Sequence, residues 1–310
     1  VGGNALVEMG TFVAILLGTI AAGVLAAEAD TASDVGPLVA VLLGVAGAGL
    51  LASLAMPRLA PAAPGLRIDW NPWTATLDNL RAATGNRVVF LSVLGNSWFW
   101  FYGAVVLAQL PLYAKDVLNG SEQLVTWLLV AFTLGVGVGS MLCERLSGHR
   151  VEIGLVPLGS IGLTVFGVDL YFATPQGLPE GPLGAAEFAA QPGAWRVFFD
   201  LAMLGVFGGF YIVPLYALIQ SRAPRERLSR VIGATSILNA LFMVAAAALA
   251  AGLLAAGLTI PELLLVVAIL NAAVAVYIYS LVPEFLLRFL AWLLVRFIYR
   301  VRVTGGEHFP

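Results

Sequence analysis

Eight stretches of this chain run for about 16 to 27 residues without an Asp, Glu, Lys or Arg, and that recurrence limits what it can fold into more than any other feature. They cover residues 9–27, 35–57, 88–114, 123–143, 153–168, 201–221, 231–257 and 263–283. A helix needs roughly 20 predominantly apolar residues to cross ~30 Å of hydrocarbon, so each run is read as a spanning helix. The fifth is short, and reaches the required length if Asp169 sits at the interface and residues 170–172 complete the helix. Only 11% of side chains are charged, against ~25% in a soluble domain, and 60% are apolar, so too little polar surface exists to clothe a water-soluble globule. The expected fold class is an all-α, polytopic membrane protein.

The same inventory excludes several functions. A net charge of -2 gives no field for nucleic acid. One cysteine, Cys143, excludes a disulfide framework or a Cys-built metal centre, and two histidines, His149 and His308, exclude a His cluster. No P-loop, Gly-x-Ser-x-Gly, His-x-x-x-x-Asp or Cys-x-x-Cys occurs, so no catalytic residue, metal or cofactor is expected within these residues.

Basic residues divide sharply between alternate loops. One side holds Arg58, Arg67, Arg81, Arg87, Arg145, Arg150, Arg222, Arg225, Arg227, Arg230, Arg288, Arg296, Arg300 and Arg302, while the other holds only Lys115 and Arg196. Lys and Arg are retained on the cytoplasmic side, so the first side is predicted to be cytoplasmic, with both chain ends there. The loop 58–87 contains an Asp69-Trp70-Asn71-Pro72-Trp73 segment and an amphipathic helix around 74–83, expected on the membrane surface. Residues 285–302 set Arg288, Arg296 and Arg300 among Phe, Leu and Trp, the pattern of an interfacial helix. Val1 is not an initiator Met, and 301–305 reads as the opening strand of a soluble domain, so both ends are expected to be cut from a longer protein.

Polar groups at membrane depth are the candidates for function, because they tend to face a bundle interior or a water-filled path. Asn4, Glu8, Asn96, Ser97, Gln109, Asp169, Asp200, Gln220, Ser236, Asn239 and Asn271 qualify. In the third span Trp98, Tyr102, Gln109 and Tyr113 share one helical face, which suits either a cavity for an amphipathic ligand or packing against neighbouring helices. Glu8 is read as an ion-pair partner for a cytoplasmic Arg or as a coupling carboxylate. Asp200 lies four residues after Arg196 and is expected to pair with it. Ser236 and Asn239, three apart, suit headgroup contact or interhelical bonding. Gly135, Gly137 and Gly139 in the fourth span, with Gly205, Gly208 and Gly209 in the sixth, are expected to let helices approach closely.

The order of spans, the long basic loop after the second and the Arg-rich turn before the seventh resemble helices five to twelve of the major facilitator fold. The run Gly139-Ser140-Met141-Leu142-Cys143-Glu144-Arg145-Leu146-Ser147-Gly148-His149-Arg150 is similar to that superfamily's Gly-x-x-x-Asp-Arg-x-Gly-Arg loop motif, with Gly139, Glu144 and Arg145 as counterparts, one extra residue on each side of the acidic-basic pair and Glu in place of Asp. Residues 4–18, the Phe99-Trp100-Phe101-Tyr102-Gly103-Ala104 and Gln109-Leu110-Pro111-Leu112-Tyr113-Ala114-Lys115 runs, residues 210–217, Arg230-Val231-Ile232 and the run 237–243 resemble the bacterial lysophospholipid transporter family. The likeness is in particular to members fused to a glycerophospholipid acyltransferase, and 299–310 is similar to that domain's lead-in.

The resemblance implies flipping of lysophospholipid, such as lysophosphatidylethanolamine, to the cytoplasmic leaflet of a bacterial inner membrane by alternating access, for reacylation there. It divides the chain into two helices of an N-terminal half (1–57), an inter-half loop (58–87), a C-terminal six-helix half (88–283) and a lead-in (284–310). Trp98, Tyr102, Gln109, Ser236 and Asn239 are the expected substrate contacts, Glu8 a possible coupling group, and membrane lipids and a fused or associated acyltransferase the partners. Two other readings stay open: an exporter of a small amphipathic solute or drug, and a non-transporting platform that presents lipid to an acyltransferase.

Overall fold

In lipid every backbone polar group must be satisfied within the segment, and the apolar runs do so as helices. The computed structural model describes residues 2–28, 36–57, 70–147, 152–179, 181–281 and 283–294. The first two runs become α1 (Gly2–Glu28) and α2 (Gly36–Leu54). A short helix, α3 (Pro72–Thr84), precedes α4 (Arg87–Leu112). After α5 (Glu122–Leu146) and α6 (Leu155–Ala173) comes a five-residue helix, α7 (Ala185–Ala189). The long α8 (Ala194–Arg222), α9 (Leu228–Ala255), α10 (Ile260–Leu281) and α11 (Pro283–Leu293) complete the order. Eight helical segments among the described residues are long and apolar enough to cross a membrane, matching the eight runs. The all-α polytopic fold class stands.

Boundaries shift where chemistry allows. The sixth span begins at Ala194 rather than 201, so it takes in Arg196 and Asp200, while the fifth runs through Asp169 to Ala173, the continuation expected for it. Both extensions follow from one ion pair, in which Arg196 donates from two nitrogens to the two oxygens of Asp169. That pairing corrects the expected Arg196–Asp200 pair: Asp200 is fully buried, and neither of its oxygens has a hydrogen-bond partner. Pro111 lies inside α4 and cannot donate to the preceding turn. The helix continues from there as a π-helical turn, Tyr113–Val117, in which Leu118 N–H reaches the Tyr113 carbonyl.

The centre of the bundle is α8, with α5 on one flank and α6 on the other. Its approach to α5 is set by glycine. A Cβ at Gly135 would strike the Ala202 carbonyl, one at Gly205 the Phe132 carbonyl, and one at Gly209 would lie 2.5 Å from Ser140 N. Backbone meets backbone, which only glycine permits. Helix α1 lays Ala5, Glu8 and Phe12 against the bundle, and Phe12 packs among Phe99, Trp100 and Phe132. Helix α2 buries none of its residues.

The helix expected at 74–83 forms as α3, started by Asn71, whose side chain accepts from Trp73 N–H at 3.0 Å. It buries Ala83 against α4 and α9 and leaves Trp70 and Trp73 exposed. Of the interfacial helix expected at 285–302, only the part within α11 is described, and residues 58–69, 148–151 and 295–310 lie outside the described residues.

Candidate functional site

Helix α4 carries most of the polar groups at membrane depth, and its neighbours divide them into three arrangements. The first joins α4 to α9. Asn96 Nδ2 and Ser97 Oγ lie 3.0 and 2.8 Å from one end of the Asn239 amide. With nitrogen at that end the amide donates to Ser97 Oγ and to the Thr235 carbonyl at 3.1 Å, while its oxygen accepts from Trp100 Nε1 at 3.2 Å. Both ends are then satisfied, so this orientation is the one the surroundings select. Ser236, one turn earlier on α9, is exposed and donates to its own helix at the Ile232 carbonyl.

The second arrangement ties α4 to α6 and α10. Trp98 Nε1 donates to Asn271 Oδ1 at 2.9 Å, and Asn271 Nδ2 donates to the Ser160 carbonyl and to Thr164 Oγ1, each at 2.9 Å. Tyr102 is buried, and its hydroxyl donates to the Leu163 carbonyl at 3.1 Å. Tyr113 follows the same pattern at the helix end, its hydroxyl 2.9 Å from Thr174 Oγ1. Thus three members of the aromatic and polar stripe are engaged by protein partners.

Gln109 is different. It is 7% exposed and its Oε1 has no partner. It lines a groove of about 620 Å³ between α4 and α9, whose other walls are Ala104, Val105, Leu107, Ala108, Met243, Ala246, Ala247, Ala250, Ala251 and Leu254. The lining is alkyl and thioether apart from this one amide. A dry alkyl groove can receive a hydrocarbon chain, and an unpaired amide within it can take up a hydrogen-bonding group of the same ligand.

Glu8 is also buried without a partner at Oε2, on the face of α1 that meets α5. No ion pair to arginine forms there among the described residues. Gly139 is buried where a Cβ would strike Val206, Glu144 lies against Gly2, and Arg145 is exposed at the end of α5. No group of three or more potential metal ligands occurs among the described residues.

Residues 2–247 match the family model described as Major Facilitator Superfamily. The chain belongs to that superfamily. Among curated relatives, it is 31% identical over 222 residues to the lysophospholipid transporter LplT of Klebsiella pneumoniae subsp. pneumoniae, covering 71% of this chain and 50% of that protein. It is 30% identical over 228 residues to LplT of Escherichia coli O7:K1, covering 72% of this chain and 51% of that one. The chain therefore spans about half the length of the curated relatives it matches. No solved structure matches it.

In this member of the superfamily, the interhelical reading of Asn239 is the one the structure shows, and sequence reasoning missed that Asn96, Ser97 and Asn271 each have a partner on another helix. It also missed the groove wall on α9. The signal was present in the alanine-rich run 245–251, where residues 246, 247, 250 and 251 fall on one face, and it reads as featureless until α4 supplies the opposite wall.

Proposed function

We propose that the protein to which this chain belongs carries lysophospholipid, of the lysophosphatidylethanolamine kind, to the cytoplasmic leaflet of a bacterial inner membrane by alternating access. The observation that carries the reading is the α4–α9 groove, an alkyl channel with one unpartnered amide, which suits a ligand that is mostly hydrocarbon with a polar end. The lysophospholipid transporters among its relatives support the same substrate class.

In this reading Gln109 is the principal contact. Trp98, Tyr102 and Asn239 hold the wall behind it, and exposed Ser236 lies one helical turn from Asn239 toward the Arg222–Arg230 end, where a headgroup leaves. Glu8 is the coupling candidate because it is buried and unpaired. Residues 1–57 and 88–283 serve as parts of two halves that rock about the groove, with 58–87 as the connection. The basic loops lie in the cytoplasm, and an acyltransferase, fused after 284–310 or associated, receives the product. That last element is supported by the sequence of 299–310 alone.

The test is uptake by the full-length protein in proteoliposomes, with lysophosphatidylethanolamine bearing a headgroup label added outside. Protein-dependent protection of the label from an impermeant quencher is expected without any acyltransferase substrate. Protection that requires acylation would favour the platform reading, and protection of unrelated amphipathic solutes instead of lysolipid would favour the exporter.

A further inference from the structure

The groove also has a length, a direction and a capacity. Helices α4 and α9 run side by side in the same direction, since Asn96 and Ser97 meet Asn239 at one level while Ala104 to Gln109 face Met243 to Leu254 further along. Met243 and Leu254 are separated by about 16 Å at 1.5 Å per residue. That is close to the depth of one leaflet, half of a ~30 Å core. Gln109, 13 residues past Asn96, stands level with about residue 252 of α9, three residues before that helix ends at Ala255, so it lies at the outer end of the groove, with the alkyl walls extending from it toward the membrane centre.

At ~30 Å³ per methylene, the liquid volume of a water molecule, about 620 Å³ has room for roughly 20 such groups, enough for one long acyl chain. A lipid with one chain in the groove and its headgroup at the interface brings its glycerol unit to the level of Gln109. In a lysophospholipid that unit carries a free hydroxyl, which both donates and accepts. The Gln109 amide also does both, has no protein partner, and turns about a broad terminal torsion to present either end.

We propose that Gln109 reads the free glycerol hydroxyl of a lysophospholipid whose acyl chain lies in the α4–α9 groove. The proposal rests on the lysophospholipid reading and adds a specificity-determining residue to it.

The experiment measures binding to the full-length protein in nanodiscs of 1-acyl lysophosphatidylethanolamine and of its 2-deoxy analogue, in which hydrogen replaces the hydroxyl. The native protein is expected to prefer the hydroxyl form by about fivefold, the scale of one hydrogen bond to an otherwise unpaired amide. Gln109→Leu should bring the ratio to one by weakening only the hydroxyl form, and Gln109→Met serves the same purpose if the Leu variant does not fold. Ala247→Trp, at an exposed groove position, should keep the preference for hydroxyl while weakening long-chain ligands more than short-chain ones. A ratio unchanged by loss of the amide overturns the role of Gln109, and chain-length behaviour unchanged by Ala247→Trp overturns the placement of the chain. If the native protein binds neither ligand, the lysophospholipid reading itself fails and takes this proposal with it.

Discussion

At the scale of single residues, partnered and unpartnered polar groups should respond to mutation in opposite ways. Asn271 is 1% exposed and joins three helices, accepting from Trp98 and donating to Ser160 and Thr164. Asn271→Leu leaves the Trp98 N–H without its acceptor and is expected to cost about 1–2 kcal/mol, measured by reversible unfolding in mixed micelles. Trp98→Phe in the Asn271→Leu background should add little beyond its packing loss, because the shared bond is already gone. Gln109→Leu has no bond to lose, so it should stay within about 0.5 kcal/mol of the native protein or gain stability, while lysolipid uptake at equal abundance falls. A stability loss as large as that of Asn271→Leu would show that Gln109 is a packing residue. The sequence marked both side chains as polar residues at membrane depth and placed Gln109 on a shared face with Trp98, Tyr102 and Tyr113, but that face left cavity and packing equally open. The distinction depends on whether a donor from a helix more than 100 positions away arrives within 3 Å, which local periodicity does not encode.

At the scale of helices, the α5–α8 contact is the clearest case of sequence dictating geometry. The obstacles to a side chain at Gly205 are the Phe132 carbonyl and Val136 N, both backbone atoms that cannot swing aside. Gly205→Ala is therefore expected to destabilise by at least about 2 kcal/mol or to prevent accumulation in the membrane. Gly252, on α9, has open space around its Cβ position, and Gly252→Ala should stabilise by about 0.5–1 kcal/mol through helix propensity. Thermal unfolding of the two variants in one detergent compares them directly, and equal effects would remove the close-approach argument. The glycine positions on both helices were legible in the sequence. The continuation of α6 through Asp169 was legible too, but the start of α8 was not, because a charge-free window restarts only after Asp200. The ion pair between Asp169 and Arg196 lets both helices run through charged positions, and that pair joins residues 27 apart in sequence.

At the scale of the whole molecule, the loops sort into two ends, and the structure and the charge pattern make separate statements about them. The connections after α4 and after α6 meet: Ser121 N–H donates to the Leu183 carbonyl at 2.9 Å, and Leu183 N–H to the Asn119 carbonyl at 2.6 Å. Lys115 at this end pairs with Glu122 at 2.5 Å, and Arg196 with Asp169, so the two basic residues of the poor side are both matched by carboxylates. At the opposite end the Arg225–Arg227 turn follows α8, and α3 packs on α9. Its arginines include Arg222, Arg225, Arg227 and Arg230 within nine positions, the excess that holds a loop in the cytoplasm. The fold fixes which loops share an end, and the arginine excess predicts that this end is cytoplasmic. Labelling decides the assignment. Ala190→Cys and Ser229→Cys are both exposed positions outside the bundle core, and the native Cys143 is fully buried, so it should remain silent. In intact cells an impermeant maleimide is expected to modify the cysteine at 190 and not the one at 229, with the second reacting only after the membrane is opened. The reverse result would invert the protein, place the Gln109 end of the groove in the cytoplasmic leaflet, and turn the proposed inward carrier into one that loads from the inside.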